Sequence, residues 1–398
     1  MPEQPTYPGV YIEEVPGDNR TIKGVSTSVA MFIGRAKGGP VNKPVLCLNY
    51  GDFERTFTSD TSQGDMATEV RLFFLNGGTQ CYIMRIPASV KDAGDGIEPL
   101  AKDYDAAYEI IDREVDLFNL MILPKDRNFS DRTMADLYAN ASLFCQKKRA
   151  FLVVDPPEGW NSVKAATDLS SGVTSLLNGL VKDHCAIFYP RVTVPEDESV
   201  NVGPGGAIAG IMARIDSTRG VWKAPAGVDA FLDGIHGLEY RFSDSENGVL
   251  NQLGINTLRI LPAGIVNWGA RTMAGDDHAQ SEYKYISVRR LALYIEESLY
   301  RGLRWVVFES NDEILWSQVL LNAGAFMHNL FINGALQGQS PKDAYFVKCD
   351  RETTTQNDIN QGIVNILVGF APLKPAEFVI LHIQQMAGKI NSEIKYRI

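Results

Sequence analysis

Apolar and polar positions along this chain of 398 residues fall into blocks whose period switches between that of a strand and that of a helix. Continuous apolar runs at residues 28–34 (SVAMFIG), 81–86 (CYIMRI), 117–124 (LFNLMILP), 150–157 (AFLVVDPP) and 184–194 (HCAIFYPRVTV) are too short for helices and predict strands buried on both faces. Between them, residues 65–76, 131–148 and 163–180 carry helical spacing, while Gly77-Gly78 and Pro87 act as stops and 91–99 (KDAGDGIEP) reads as a polar loop. Strands alternating with helices predict an α/β domain over residues 25–264, built around a largely buried sheet.

A second α/β region is expected over residues 265–386. A long amphipathic helix at 279–300 sets Ile286, Leu291, Ile295 and Leu299 near one stripe. Trp305 to Phe308 reads as a strand, 311–333 as a helix opened by Asn311-Asp312-Glu313, and 344–349 and 363–370 as two further strands.

Both chain ends carry strand-forming material outside an obvious core. Residues 1–24 hold Pro2, Pro5, Pro8, Gly9, Pro16 and Gly17, which exclude helix, around one short strand at 10–15 (VYIEEV). At the other end, within residues 387–398, Ile390, Ser392, Ile394, Tyr396 and Ile398 alternate with Lys389, Asn391, Glu393, Lys395 and Arg397, the period of a half-buried strand. Ala387-Gly388 separates this strand from an apolar run at 378–383. Two readings remain open: the ends pair within their own domain, or they add strands to the sheets of other copies.

Composition narrows the possible functions. A net charge of −10 with no Lys/Arg run argues against nucleic acid as the main partner, because backbone binding needs clustered cations. The 45% hydrophobic content is enough for real cores. Cys47, Cys81, Cys145, Cys185 and Cys349 are odd in number and far apart, and three sit in apolar runs, so they read as small buried hydrophobes in a reducing compartment. The start of the chain has neither the basic nor the apolar region of a signal peptide, and no run approaches the roughly 18 apolar residues of a membrane span. Synthesis and folding in the cytoplasm are expected, with any role outside the cell following lysis or another exit.

Candidate chemistry is sparse. The turn Gly203-Pro204-Gly205-Gly206 resembles a phosphate loop, but Ile208 stands where a third glycine belongs, no Gly-Lys-Ser/Thr follows, and Pro204 lacks a donor; a structural turn is the better reading. The histidines His184, His236, His278, His328 and His382 lack the spacing of metal ligands. Asp276-Asp277-His278 reads as a solvated loop. Glu296-Glu297 reads as a solvated or salt-bridged helix face, since adjacent helical positions diverge by about 100°. No enzyme, metal or cofactor constellation is expected.

A series of strings in order resembles the contractile tail sheath protein family. Tyr7-Pro8-Gly9-Val10-Tyr11 with Glu13-Glu14 looks like its N-terminal signature, and Ala30-Met31-Phe32-Ile33-Gly34 like its first core strand. Arg219-Gly220-Val221-Trp222-Lys223-Ala224-Pro225-Ala226-Gly227 resembles its central motif, followed by Trp268-Gly269-Ala270-Arg271-Thr272 and Trp305-Val306-Val307-Phe308-Glu309-Ser310-Asn311-Asp312. Gly334-Ala335-Leu336-Gln337-Gly338, Ala344 to Asp350 and Pro375-Ala376-Glu377-Phe378 complete the order. Ser310 and Gly227 depart from the family's usual Pro and Asn, and residues 90–200 match loosely.

The resemblance implies a two-domain subunit, outer (25–264) and inner, tube-facing (265–386), with extended β-arms at 1–24 and 387–398. It implies a structural protein whose copies stack around an inner tube protein, meet baseplate and terminal cap proteins, and contract by rigid-body reorientation without ATP. Direct membrane insertion is not expected. The arms would add strands to neighbouring copies through Tyr7, Val10, Tyr11, Ile12 and Val15 and through Ile390, Ile394, Tyr396 and Ile398, hinged at Pro16-Gly17. The arms carry net charges of −2 (residues 1–24) and +2 (387–398), which favours their pairing by under ~1 kcal/mol per exposed pair. The helix beginning at Asp312 is the expected tube-facing element, through Asp312, Glu313, Gln318, Asn322 and His328. The competing readings are a shell or tube component that never contracts, and an α/β enzyme with extended ends.

Overall fold

The computed structural model describes residues 21–61, 64–86, 101–195, 197–262 and 264–380. Strands β1 (Ala30–Gly34), β2 (Pro44–Cys47), β3 (Cys81–Arg85), β4 (Leu120–Ile122), β5 (Phe151–Val154) and β6 (Cys185–Tyr189) belong to one sheet. A side ribbon is made of β7 (Val192–Val194), β8 (Asp197–Val202) and β9 (Gly237–Leu238), and the main sheet resumes with β10 (Ile255–Leu261) and β11 (Gly264–Asn267). The order across this eight-stranded sheet is β11-β10-β6-β5-β4-β1-β3-β2. Its inner six strands run parallel, and an antiparallel strand closes each edge.

Burial on both faces explains the unbroken apolar runs. From β1, Met31 and Ile33 enter one core layer and Ala30 and Phe32 the other. The first layer is covered by helices α3 (Ala101–Glu114) and α4 (Asp131–Lys148), the second by α1 (Tyr50–Phe57), α2 (Met66–Leu75) and α7 (Gly205–Arg219). Helix α4 keeps its expected bounds because Ser130 accepts a hydrogen bond from the Thr133 N–H and Arg149 terminates it in the left-handed conformation. Residues 163–180 form two single turns instead of one helix, α5 (Val163–Ala166) and α6 (Val173–Leu176). Asp168 between them accepts from the N–H groups of Ser170 and Ser171, a local turn that competes with the helix.

The later part of the chain starts with α8 (Asp244–Gln252) and α9 (Ile286–Gly302). Expected from 279, α9 begins at Ile286 because Asp276 draws the His278 and Ala279 N–H groups into a turn. Ile286 joins the sheet's core while Leu291 and Ile295 join a second one, so the expected single stripe is divided between two layers. Helix α10 (Glu313–Ile332), the short turns α11 (Pro341–Ala344) and α12 (Gln356–Asn360), and the two-stranded ribbon β12 (Tyr345–Lys348) and β13 (Leu367–Phe370) complete the second core. Trp305 to Phe308 is not a strand: residues 304–306 make a 3-10 turn and Phe308 has φ +71°. Its β-branched and aromatic character signalled a strand, yet Trp305 and Val306 pack beside Leu315 and Trp316.

Two expected boundaries move. Residue 265 lies inside the β10–β11 hairpin, where Ile260 pairs with Ile265, so a division at 264/265 would cut a ladder of the main sheet. Ile22 is buried in the second core, so the body begins before residue 25. All five cysteines are buried and free, in agreement with their reading as small apolar residues.

Helices α2 and α7 approach closely because glycines line α7. A Cβ on Gly210 would stand 2.5 Å from the Phe73 carbonyl oxygen and 2.7 Å from the Asn76 Cβ. A mid-helix Gly→Ala change ordinarily stabilises by about 1 kcal/mol. Here Gly210→Ala is expected to destabilise by about 1–3 kcal/mol, because backbone must shift. Urea unfolding of the purified subunit checks this reversal of sign.

Candidate assembly surfaces

The expected arm residues Tyr7, Val10, Tyr11, Ile12, Val15, Ile390, Ile394, Tyr396 and Ile398, and the hinge Pro16-Gly17, lie outside the described residues. What the structure describes is where their roots attach. At the N-terminal root, a Cβ on Gly302 would sit 2.6 Å from Ile22, and one on Gly24 would collide with the Tyr294 hydroxyl. The Val25 N–H donates to Ser298 Oγ at 3.2 Å, and Arg290 donates to the Thr27 carbonyl at 2.9 Å. Residues 22–27 are therefore fastened along α9.

The C-terminal root is fastened by one buried cation. Arg271, 1% exposed, makes two parallel bonds of 2.7 Å to the Glu377 carboxylate and a third of 2.8 Å to Asp277. Burial opposes the charge on Arg271, but Glu377 and Asp277 outweigh it and hold its pKa above the ordinary value. Asp277 thus serves as an anchor, and Lys284 pairs with it as well. Next to this clamp is a groove of about 970 Å³, lined among others by Trp222, Lys223, Trp268, Lys374 and Phe378. Its two carboxylates are already engaged, Glu377 with Arg271 and Asp244 with Arg259.

Between the two roots lies the β12–β13 ribbon, with Tyr345 opposite Phe370 and Lys348 opposite Leu367. Tyr345, Val347, Val368 and Phe370 turn one face toward the second core. On the other face Phe346 lies over Gly369, a position where any Cβ would strike its ring. Among the described residues neither strand has a second strand partner, although just beyond β13 Leu336 bridges Pro372 and the Gln337 N–H donates to the Ala371 carbonyl. Two strands alone are marginal in water.

Helix α10 presents the other open face. Leu315, Trp316, Val319, Ala323, Phe326, Met327 and Leu330 are buried, while Ile314 (69% exposed), Leu321 (73%) and Ile332 (66%) line the opposite side. Gln318 and His328 lie on that exposed stripe. The others of the expected polar set are engaged elsewhere. Asp312 caps the helix at 3.0 and 2.9 Å, Glu313 pairs with Arg351 at 2.6 Å, and Asn322 donates to the Gln318 carbonyl. The exposed apolar residues were missed because α10 is apolar all round, so periodicity could not tell the core side from the free side.

The remaining candidates from the sequence have structural partners. Gly203, Gly205 and Gly206 direct their N–H groups to Asp65, Asp155 and Glu69 of the same chain. Glu297 binds Arg149 and Arg301, and Glu296 lies 3.8 Å from Arg289. His184 contacts Asp183 and Arg289, His236 contacts Glu198, and His328 lies 3.2 Å from the Tyr345 hydroxyl. His382 lies outside the described residues.

Residues 278–386 match the family model for the phage tail sheath C-terminal domain. The chain is 31% identical to the helical sheath of the anti-feeding prophage in its contracted state, covering 96% of this chain and 100% of that one with a TM-score of 0.76. It is 25% identical to a chain of the contracted PVC sheath complex, an extracellular contractile injection system, covering 97% and 99% with a TM-score of 0.76. The tail sheath protein of Vibrio phage KVP40 is 26% identical over 181 residues, 44% of this chain and only 25% of that protein's length.

Glu377→Gln removes the charge that holds the C-terminal root while leaving Arg271 paired with Asp277. The substitution is expected to cost about 1–3 kcal/mol and to expose residues 371–380 to protease. Urea unfolding and mapping of limited-proteolysis fragments measure the two effects.

Proposed function

The chain belongs to the contractile tail sheath protein family, and from that membership we propose how it acts: copies polymerise around an inner tube, linked through their terminal segments, and contract by rigid-body rearrangement to drive the tube through a target envelope. As a structural sheath subunit, its work lies in assembly. The observation that carries the linkage is the β12–β13 ribbon, whose two strands have no further partner among the described residues, on a body that grips the roots of both terminal segments. A strand from another copy on either outer edge would extend the ladder and satisfy its exposed backbone. Residues 10–15 and 390–398 have the pattern for that role, and Pro16-Gly17 lies between the N-terminal strand and the gripped root.

Helix α10 is the surface we assign to the tube. Its stripe of Ile314, Gln318, Leu321, His328 and Ile332 is an apolar contact edged by polar groups, suited to a partner that must be held and released. Baseplate and terminal cap proteins would meet the end rings of the same polymer. Assembly in the bacterial cytoplasm, and release by lysis, fit a subunit of this kind. Backbone pairing and rigid-body motion give catalysis no part in this scheme.

Two experiments test the scheme. Deleting residues 1–20 is expected to leave a folded, soluble subunit that forms no tubes, and normal contractile sheaths by electron microscopy would refute the linkage. Ile314→Glu combined with Leu321→Glu is expected to preserve sheath polymers while abolishing their co-purification with the tube. Intact, tube-filled particles from that double variant would remove α10 from the interface.

A further inference from the structure

Beneath the first turn of α7, two buried carboxyl groups meet. Glu69 comes from α2 and is 0% exposed, and Asp155 follows β5 and is 3% exposed. The Gly205 N–H donates to Asp155 Oδ1 at 2.7 Å, and the Gly206 N–H to Glu69 Oε2 at 3.0 Å. Both groups crowd one point: a Cβ on Gly205 would stand 2.9 Å from Asp155 Oδ1 and 3.2 Å from Glu69 Oε2. Each carboxyl keeps one further oxygen, Asp155 Oδ2 and Glu69 Oε1, buried and without a donor.

The surroundings supply too little positive charge for both. Arg191, after β6, binds Asp65 at 3.1 Å, approaches Glu158 at 3.7 Å and donates to the Asn201 carbonyl. Lys125, after β4, is engaged by Asp131 and Glu158. Tyr138 of α4 is a buried neutral hydroxyl near the pair, and Glu239 adds a further carboxylate near Arg191. Two orphaned acceptors on adjacent carboxyls are satisfied together by a single hydrogen between them.

We infer that Glu69 and Asp155 share one bound proton in the folded subunit, and that this proton closes the junction of α2, β5 and α7. Burial, followed by the charges of Asp155 and Asp65, raises the pKa of Glu69 well above the usual carboxyl range. Burial likewise raises that of Asp155, against the opposing Gly205 N–H and Arg191. A carboxyl that binds its proton more tightly when folded supports folding fully in acid, below its unfolded pKa near ~4. That support is lost as the pH rises through the folded value. The junction is therefore tight at mildly acidic pH and loosens in alkaline solution. The inference does not depend on the sheath reading.

The test is urea unfolding of the full chain, wild type against Glu69→Gln, across pH 5–8. Gln keeps the shape and offers an N–H in place of the shared proton. One proton bound only by the folded state raises the unfolding constant by up to about tenfold per pH unit, and Glu69→Gln is expected to remove that share of the slope. Parallel pH profiles for the two proteins would overturn the inference. An infrared spectrum of folded wild type supplies a second readout that needs no variant. A buried protonated-carboxyl band at neutral pH, lost on alkaline titration, is expected, and its absence at neutral pH would equally overturn the inference.

Discussion

Helix α9 is buried on two sides at once, and the body of the subunit depends on it. Ile286 and Leu293 enter the core of the eight-stranded sheet, whereas Leu291 and Ile295 enter the core beneath α10 and the β12–β13 ribbon. Polar groups on the same helix tie down what passes by. Arg290 grips Asp216 of α7 through two bonds and the Thr27 carbonyl through a third, and Glu297 joins Arg149 to Arg301. A helix with one apolar stripe could have served only one layer, leaving the other on a hinge. Two stripes weld the layers, so displacement of one core carries the other with it.

The main sheet has the layout in which other parallel sheets take ligands, and its own side chains fill it. Open parallel sheets commonly take ligands beyond the carboxyl ends of their strands. Here those ends lead into Arg35, Lys125, Asp126, Asp155 and Arg191, after β1, β4, β5 and β6. The charges face one another, as in Arg35–Asp126 at 3.5 Å and Arg191–Asp65 at 3.1 Å. At the start of α7, donors that would suit a phosphate are taken by Asp155 and Glu69. A cleft whose charges face one another within the chain supports rigidity, and a buried polar network of this kind favours one packing of α2 against α7.

Much of the sheet was legible in the sequence because burial on both faces leaves a contiguous apolar run, as at Ala30–Gly34, Phe151–Val154 and Cys185–Tyr189. Helix α4 was legible to the residue because its cap chemistry is local. The failures have physical causes too. Helix α3 gives a weak signal in the sequence although Tyr104, Ala107, Tyr108 and Ile111 follow helical spacing, because polar residues dominate the positions between them. The run at 305–308 misled because aromatic and β-branched residues signal a strand only where a partner strand exists. Of the candidate assembly surfaces, the β12 strand could be read from its run of aromatic and β-branched residues, but the exposed Ile314 and Leu321 could not. Exposure is a property of the packed molecule, and α10 carries apolar residues on every side.

Backbone pairing suits an assembly that must change its shape and stay connected. Side-chain interfaces hold discrete relative orientations, because packed cores switch between arrangements and do not deform continuously. A ladder of N–H and carbonyl groups depends only on a strand lying along an edge, so rotation can be taken up in the chain leading to it. That division of labour demands roots that do not yield. If residues 22–27 or the segment around Glu377 could peel from the body, a pull on a terminal segment would unravel the subunit before it moved its neighbour. Ile22 wedged against Gly302 and the paired hydrogen bonds from Arg271 to Glu377 place resistance at the two points where, on the proposed linkage, such a pull would arrive.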